Sequence, residues 1–156
     1  MSLVQLRTLL QGRVVIVGVG NQLRGDDGFG PYMIEQLQGK VSAELIDCGE
    51  VPENFLGPIR SHDPDTVLIL DAADFSARPG ALEVFDVYRW EGGGFSSHSL
   101  SLRLFADLLT HDTGAQIYLV AIQPKHVELG QAMSKEVQEG CRGLQRFLIE
   151  TLGHEK

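Results

Sequence analysis

Residues 14–31 read VVIVGVGNQLRGDDGFGP, and this stretch decides the fold. Residues 14–19 are apolar and mostly β-branched, without polar alternation, which predicts a strand buried on both faces of a parallel sheet. Glycines then recur as far as Pro31, a residue suited to the first turn of a helix. Asp26 and Asp27 therefore lie at the carboxyl end of a central strand, where open α/β sheets bind their ligands. Because like charges repel, we expect a cationic group beside them.

Two other interpretations of this stretch stay open at the level of sequence. Gly18 and Gly20 resemble the Gly-x-Gly pair of a dinucleotide-binding turn. However, Asp26 and Asp27 stand where a pyrophosphate needs a helix N-terminus free of negative charge. In the second interpretation the turn is purely structural, and Asp27 caps the following helix.

Length and composition favour a single domain over residues 1–156, with a core over about 13–152. The net charge of −8 argues against nucleic acid or an anionic membrane as partner, and is compatible with a cation or a basic protein segment. Cys48 and Cys141 form no C-x-x-C pair, which suits a reducing cytoplasm. We find neither a signal peptide nor a membrane span in the sequence.

Strands and helices alternate along the chain, which predicts a three-layer α/β/α domain with helices on both faces of a five-stranded, mostly parallel sheet. Strands are predicted over about 13–19, 43–47, 66–71, 81–87 and 116–122. Helices are predicted over about 30–38, 52–61, 99–110 and 135–152, the last capped by Ser134. The link 72–80 is too short for a crossover helix, so we expect the fourth strand to be an antiparallel edge strand. Helical spacing predicts a buried face on the third helix, made by Leu100, Leu104, Phe105 and Leu108.

Several chemistry-bearing side chains follow the predicted parallel strands, whose carboxyl ends share one edge of the sheet. Besides the two adjacent acids, they are Cys48, Glu50, Glu53, Asp71, Asp74 and Gln123. Asp71 follows the fully apolar run 67–70, and an acid at the end of a buried strand needs a partner such as a metal, an arginine or a helix N-terminus. A structural cap on the following loop is the alternative.

His98 follows a glycine run at 92–94 and precedes a helix, which makes it either a metal ligand or an ordinary surface residue. Two carboxylates and one imidazole can hold a divalent transition metal. His98 could also activate Cys48 as a thiolate nucleophile, but such a cysteine is more often a buried packing residue, and we expect that role. The other histidines lie in polar contexts and are predicted to be solvated: His62, His111, His126 and His154.

The chain resembles the nickel–iron hydrogenase maturation endopeptidases over about residues 13–150. The resemblance rests first on the string G-x-G-N-x-L-x-x-D-D-G-x-G at 18–30. Further matching segments are Asp47-Cys48-Gly49, the stretch 70–74, His98 and the start of its helix, Gln123-Pro124, Leu129-Gly130 and 134–137.

This resemblance implies a five-stranded mixed sheet between helices, and an enzyme that removes a short C-terminal extension from a hydrogenase large-subunit precursor after nickel insertion. It implies Asp27, Asp71 and His98 as metal ligands and catalytic residues, with Asp26 in the motif but without an assigned role. The precursor would supply the nickel, which the isolated protein would hold weakly or not at all. A non-enzymatic metal-binding chaperone or docking module with the same ligands is the alternative function, and a nucleotide-binding module is a second one.

Overall fold

The structure, a computed structural model, describes residues 1–87 and 99–154, with residues 99–101 described by their backbone alone. The strands are β1 Val14–Gly18, β2 Glu44–Asp47, β3 Thr66–Ala72, β4 Leu82–Asp86 and β5 Gln116–Ile122. The helices are α1 Leu3–Leu9, α2 Phe29–Leu37, α3 Leu56–Ser61, α4 Ser99–Thr113 and α5 Lys135–Leu152. Short 3₁₀ turns precede α2 and α3, at Gly25–Gly28 and Pro52–Phe55.

The strands form one sheet in the order β2-β1-β3-β5-β4. β1 pairs in parallel with β2 and β3, β3 pairs in parallel with β5, and β4 runs antiparallel to β5 at the edge. β1 and β3 are buried along their whole length, as expected for parallel strands that helices cover on both faces. The predicted α/β class, the mostly parallel five-stranded sheet and its antiparallel edge strand are confirmed.

Each face of the sheet has its own hydrophobic core. On the first face, Leu68 and Leu70 of β3 pack with residues of α1, α2 and α5. On the second face, Val67 and Ile69 pack with residues of α3 and α4. Since side chains alternate along a strand, Asp71 belongs to the second face, which α4 covers.

Helix α1 was not predicted from the sequence. Ser2 caps it in a capping box, because the Ser2 hydroxyl accepts from the Gln5 backbone N–H and the Gln5 side chain accepts from the Ser2 N–H. Leu6 is fully buried in the first core. The Ser2-x-x-Gln5 spacing was the available signal, but a helix this short depends on tertiary packing for its stability.

The buried face of α4 differs from the prediction. Phe105 is fully buried as expected, but Leu104 and Leu108 are 55% and 38% exposed. The residues that α4 buries with Phe105 are Leu102, Ala106 and Leu109. The helix is therefore rotated relative to the prediction, because its leucines fit two overlapping stripes and only packing against the sheet distinguishes them.

The remaining elements lie close to their predicted ranges. The bounds of β5 and α5 agree with the prediction, and Ser134 caps α5 by accepting from the Val137 N–H at 3.3 Å. Within residues 1–87 and 99–154, no helix has the length and apolar character needed to cross a bilayer.

Candidate active site

The glycine-rich turn after β1 packs directly on the ends of two central strands. A Cβ at Gly30 would lie 2.5 Å from both the Leu70 carbonyl oxygen and the Val19 nitrogen, so only glycine allows this approach. The Val19 N–H donates to the Leu70 carbonyl at 2.9 Å, which continues the pairing of β1 with β3 past the end of β1. Gly20 has φ +143 and its Cβ would overlap the Asp27 carbonyl. These close approaches fix Asp27 beside the carboxyl edge of the sheet.

Asp27 is 7% exposed, and its Oδ2 accepts a hydrogen bond from the Asn21 N–H at 2.9 Å. The Asn21 N–H also lies 3.2 Å from the Asp27 carbonyl oxygen, so the turn closes on itself at this residue. The N-cap of α2 is Gly28, and no side chain caps that helix. The interpretation of Asp27 as a helix cap is therefore wrong.

Asp71 lies at the same edge and is fully buried near the end of β3, where it is in register with Ala121 of β5. The 3₁₀ turn that carries Asp27 contacts β3. The structure thus brings the turn of Asp27 against the strand of Asp71. α4, which covers the face of Asp71, begins at Ser99, and His98 lies outside the described residues.

Across residues 1–87 and 99–154, no group of three or more His, Cys, Asp or Glu side chains is arranged to hold a metal ion. The predicted ligand set includes His98, which is not among those residues. The three-ligand set Asp27, Asp71 and His98 therefore stays a prediction. Its donor chemistry, two carboxylates and an imidazole with coordination positions left open, suits a borderline divalent ion such as nickel.

Asp26, the neighbour of Asp27, is fully buried, and its carboxylate contacts a different part of the fold. Its Oδ1 accepts from the Ser134 N–H at 2.7 Å. Its Oδ2 accepts from the Ser134 hydroxyl at 2.9 Å, the Lys125 N–H at 2.8 Å and the His126 N–H at 3.3 Å. Asp26 therefore joins the first turn to the loop between β5 and α5.

We expected a cationic partner for the two adjacent acids, but the carboxylate of Asp26 is compensated in another way. In the part of the chain that the structure describes, no Lys, Arg or His side chain pairs with it, and the Lys125 ammonium lies 3.3 Å from Glu136 instead. The carboxylate faces Ser134, the N-cap of the 18-residue helix α5. Hydrogen-bond donors and the positive end of a helix dipole thus replace a cation.

Cys48 is a packing residue, as predicted. It is 1% exposed in the second core, and burial, with a further contribution from Asp47, raises the pKa of its thiol to about 12. A thiol with that pKa stays protonated at neutral pH and is a poor nucleophile. This environment argues against cysteine catalysis.

Gln123 organises the loop after β3. Its side-chain oxygen accepts from the Phe75 and Ala77 N–H groups at 2.8 and 3.2 Å, and its amide donates to Asp74 at 3.1 Å. Hydrogen bonds from the Ser76 backbone and from Gln123 hold the pKa of Asp74 below its usual range. Gln123 and Asp74, expected near the site, thus form a structural network.

A surface cleft of about 360 Å³ opens beside the turn that carries Asp27, although Asp27 itself is not part of its lining. Its walls are the turn 20–23 and the turn 47–50, which the Gly20 N–H joins by donating to the Gly49 carbonyl at 2.8 Å. Leu23 and Pro31 give the cleft apolar lining, and Asp47 and Glu50 give it negative charge. Glu53, also predicted for this edge, is half-buried and lies outside the lining of the cleft.

His126 is not solvated as predicted. It is half-buried, and its Nδ1 is buried with no hydrogen-bond partner within the described residues. The ring lies against Gly25, where a Cβ would stand 2.9 Å from Nδ1, so a side chain at this position would displace it. The predictions for the remaining histidines are confirmed, since His62, His111 and His154 are exposed.

The fold is a mixed five-stranded α/β domain with buried carboxylates at the carboxyl edge of its sheet, and comparisons with known proteins show its family. A family model described as hydrogenase maturation protease matches residues 31–149. This chain belongs to that family.

Individual relatives agree with this assignment. The hydrogenase 3 maturation protease of Escherichia coli K12 is 34% identical over 128 residues, covering 80% of this chain and 81% of its own. The crystal structure of the [NiFe] hydrogenase maturation protease HycI from Thermococcus kodakarensis superposes with a TM-score of 0.87 at 33% identity, covering 95% of this chain and 98% of that one. The solution structure of the endopeptidase HycI from Escherichia coli gives a TM-score of 0.80 at 29% identity, covering 89% and 90%.

The resemblance seen in the sequence is confirmed, and the chain is a hydrolase of the endopeptidase class with a role in hydrogenase maturation. The non-enzymatic chaperone and the nucleotide-binding module, both held open from the sequence, are therefore set aside.

Proposed function

We propose that this protein removes the C-terminal extension of a nickel–iron hydrogenase large-subunit precursor after nickel insertion, and that it acts in the cytoplasm. It recognises the nickel that the precursor carries through Asp27, Asp71 and His98. The isolated protein holds nickel weakly, because carboxylates and one imidazole lack the thiolates that would retain the ion. Its two cysteines are free and buried, in keeping with a reducing compartment.

The observation that carries this proposal is the packing of the Asp27 turn on β3. Both carboxylates are almost excluded from solvent at one edge of the sheet, at 7% and 0% exposure. Two carboxylates held at one edge of the sheet supply negative charge and oxygen ligands, which favour binding of a divalent cation. We place a segment of the polypeptide that brings the ion in the cleft beside this turn, which has a volume of about 360 Å³.

Chemically, the reaction is hydrolysis of one peptide bond. Water adds its oxygen to the carbonyl carbon, the C–N bond breaks, and a proton passes to the leaving amine. The water is activated either by nickel as a Lewis acid or by a carboxylate as a base. Binding of nickel by Asp27, Asp71 and His98 holds the scissile bond in register, so a precursor without nickel is not cut.

The test is processing of purified precursors with and without nickel, followed by the intact mass of the large subunit. We expect loss of the C-terminal extension only from the nickel-loaded form. Asp27→Asn and Asp71→Asn lower the rate by about 100-fold or more, since each removes a charged ligand. Asp63→Asn is the matched control, because it makes the same change at an exposed site that precedes β3 at the opposite edge.

Equal cleavage of both precursors would reject recognition through nickel while leaving the peptidase in place. Tight binding of the nickel-loaded precursor without cleavage would mean that this precursor is not the one that the enzyme processes. Loss of activity in Asp63→Asn as large as in Asp27→Asn would show that charge alone, and not its place at the edge, matters.

A further inference from the structure

Asp26 holds two distant segments of the chain together. Within the described residues, the four hydrogen bonds that its carboxylate accepts come from donors between residues 125 and 134, about a hundred residues further along the sequence. The backbone adds to this contact, because the Asp26 N–H donates to the His126 carbonyl at 2.9 Å. The Ser134 hydroxyl that donates to Asp26 also caps α5.

The two loops form one hydrogen-bonded layer around this carboxylate. The Gly25 N–H donates to the Gln131 carbonyl at 3.1 Å, and the Gly130 N–H donates to the Leu23 carbonyl at 2.8 Å. Asp27 is the next residue along the turn, and its N–H donates to the Arg24 carbonyl at 3.1 Å. The position of the Asp27 carboxylate therefore depends on this layer through the backbone of residues 24–27.

Asp26 is unsuited to be a ligand itself. Its carboxylate has no solvent-accessible surface, and both oxygens already accept hydrogen bonds at the β5–α5 loop. A metal ion would have to displace at least two of those donors and the cap of α5. The two adjacent acids of the motif thus have separate tasks.

We propose that Asp26 is a positioning residue that sets Asp27 for nickel recognition by locking the first turn to the N-terminus of α5. This inference rests on the proposed function. An asparagine at 26 places an NH₂ group against N–H donors whichever way its amide is turned, so Asp26→Asn breaks the lock with little change in volume.

The experiment measures binding of Asp26→Asn to nickel-loaded and nickel-free precursor, beside the rate of processing. We expect affinity for the loaded form to fall about 10- to 100-fold, as for other groups that orient a metal ligand, with affinity for the nickel-free form unchanged. Ser134→Ala should act in the same direction, and the Asp26→Asn/Ser134→Ala double variant should be no worse than Asp26→Asn alone. Ser134→Thr keeps both the hydroxyl and the cap, and should restore wild-type affinity.

A structural control separates positioning from general destabilisation. Val41→Ala removes buried volume from the first core, outside the two loops. It should lower the melting temperature while keeping the difference in affinity between loaded and nickel-free precursor. The inference is overturned if folded Asp26→Asn discriminates nickel as the wild type does, or if Val41→Ala loses the discrimination equally.

A second readout needs no substrate and keeps the inference separate from the proposed function. The Asn21 N–H lies 2.9 Å from Asp27 Oδ2, so its NMR shift and exchange rate report the position of that carboxylate. Asp26→Asn should shift the Asn21 signal and speed its exchange, and Val41→Ala should not. An unchanged Asn21 signal in Asp26→Asn rejects the positioning role even if no precursor is ever cleaved.

Discussion

At the scale of single residues, Asp26 and Asp27 are neighbours that differ in what surrounds their carboxylates. Asp26 is saturated with donors from the β5–α5 loop, whereas Asp27 bonds within its own turn and retains 7% exposure. These different surroundings explain why only one of the two adjacent acids, Asp27, lies at the edge of the sheet.

Cys48→Ala should keep most of the processing activity. The thiol is buried and stays protonated at neutral pH, since burial raises its pKa to about 12. The variant leaves a small cavity, so we expect a loss of stability of about 1 kcal/mol with cleavage preserved. Processing assays on Cys48→Ala, and on wild type treated with a thiol alkylator, check this expectation. A folded but inactive Cys48→Ala protein would make this enzyme a cysteine peptidase.

Both cysteines should make the protein less stable in alkali. Burial raises the thiol pKa of Cys48 and Cys141 from 9.0 to about 12. The unfolded chain therefore releases these protons at a lower pH than the folded protein does. The contribution of the protonated thiols to the free energy of unfolding is complete below pH 9 and is lost between pH 9 and about 12. In that pH range each thiol adds about 1.4 kcal/mol per pH unit to the decline of the free energy of unfolding with rising pH.

Urea unfolding of wild type and of the Cys48→Ala/Cys141→Ala variant, from pH 8 upwards, measures this effect. The variant starts from a lower stability but should decline less steeply. Equal slopes in the two proteins would mean that the thiols ionise as readily in the fold as in the unfolded chain.

At the scale of elements, the contact between α2 and the strand ends depends on Gly30. Gly30→Ala places a methyl group 2.5 Å from backbone atoms of Val19 and Leu70, which cannot withdraw without moving β1 or β3. We expect a loss of about 1–3 kcal/mol or more, together with reduced processing, because the Asp27 turn must shift. Thermal unfolding and the processing assay measure the two effects.

Gly143→Ala is the matched control for this substitution. Gly143 lies in α5 and a Cβ there would meet nothing within 4 Å, so alanine should stabilise the helix by about 1 kcal/mol. If the two variants have the same stability, the close approach at Gly30 does not hold the turn.

The elements were predictable wherever local pattern and packing agree. The strong apolar stripe of α5 and its serine cap predicted the bounds of that helix, and the apolar run 67–70 predicted the strand that carries Asp71 near its end. The buried face of α4 was not predictable, since its leucines fit two stripes. The partners of Asp26 and the burial of His126 were also beyond reach, because both depend on contacts between segments about 100 residues apart.

At the scale of the whole molecule, the proposed site is complete only when the substrate is bound. Treating the enzyme alone with a chelator, and then removing the chelator, should leave its processing rate unchanged because the precursor brings the nickel. The assay compares treated and untreated enzyme on the same nickel-loaded precursor. Activity that is lost after this treatment and restored by added metal would reveal a resident ion instead.

The link between Asp26 and Ser134 spans 108 residues, and this separation governs when the site can form. The turn at 24–27 leaves the ribosome about a hundred residues before the donors that fix it. A contact between segments so far apart in sequence carries the entropy cost of closing the intervening loop, which slows folding. The turn that carries Asp27 therefore acquires its working geometry only after residues 125–134 have been synthesised and the first turn of α5 has formed.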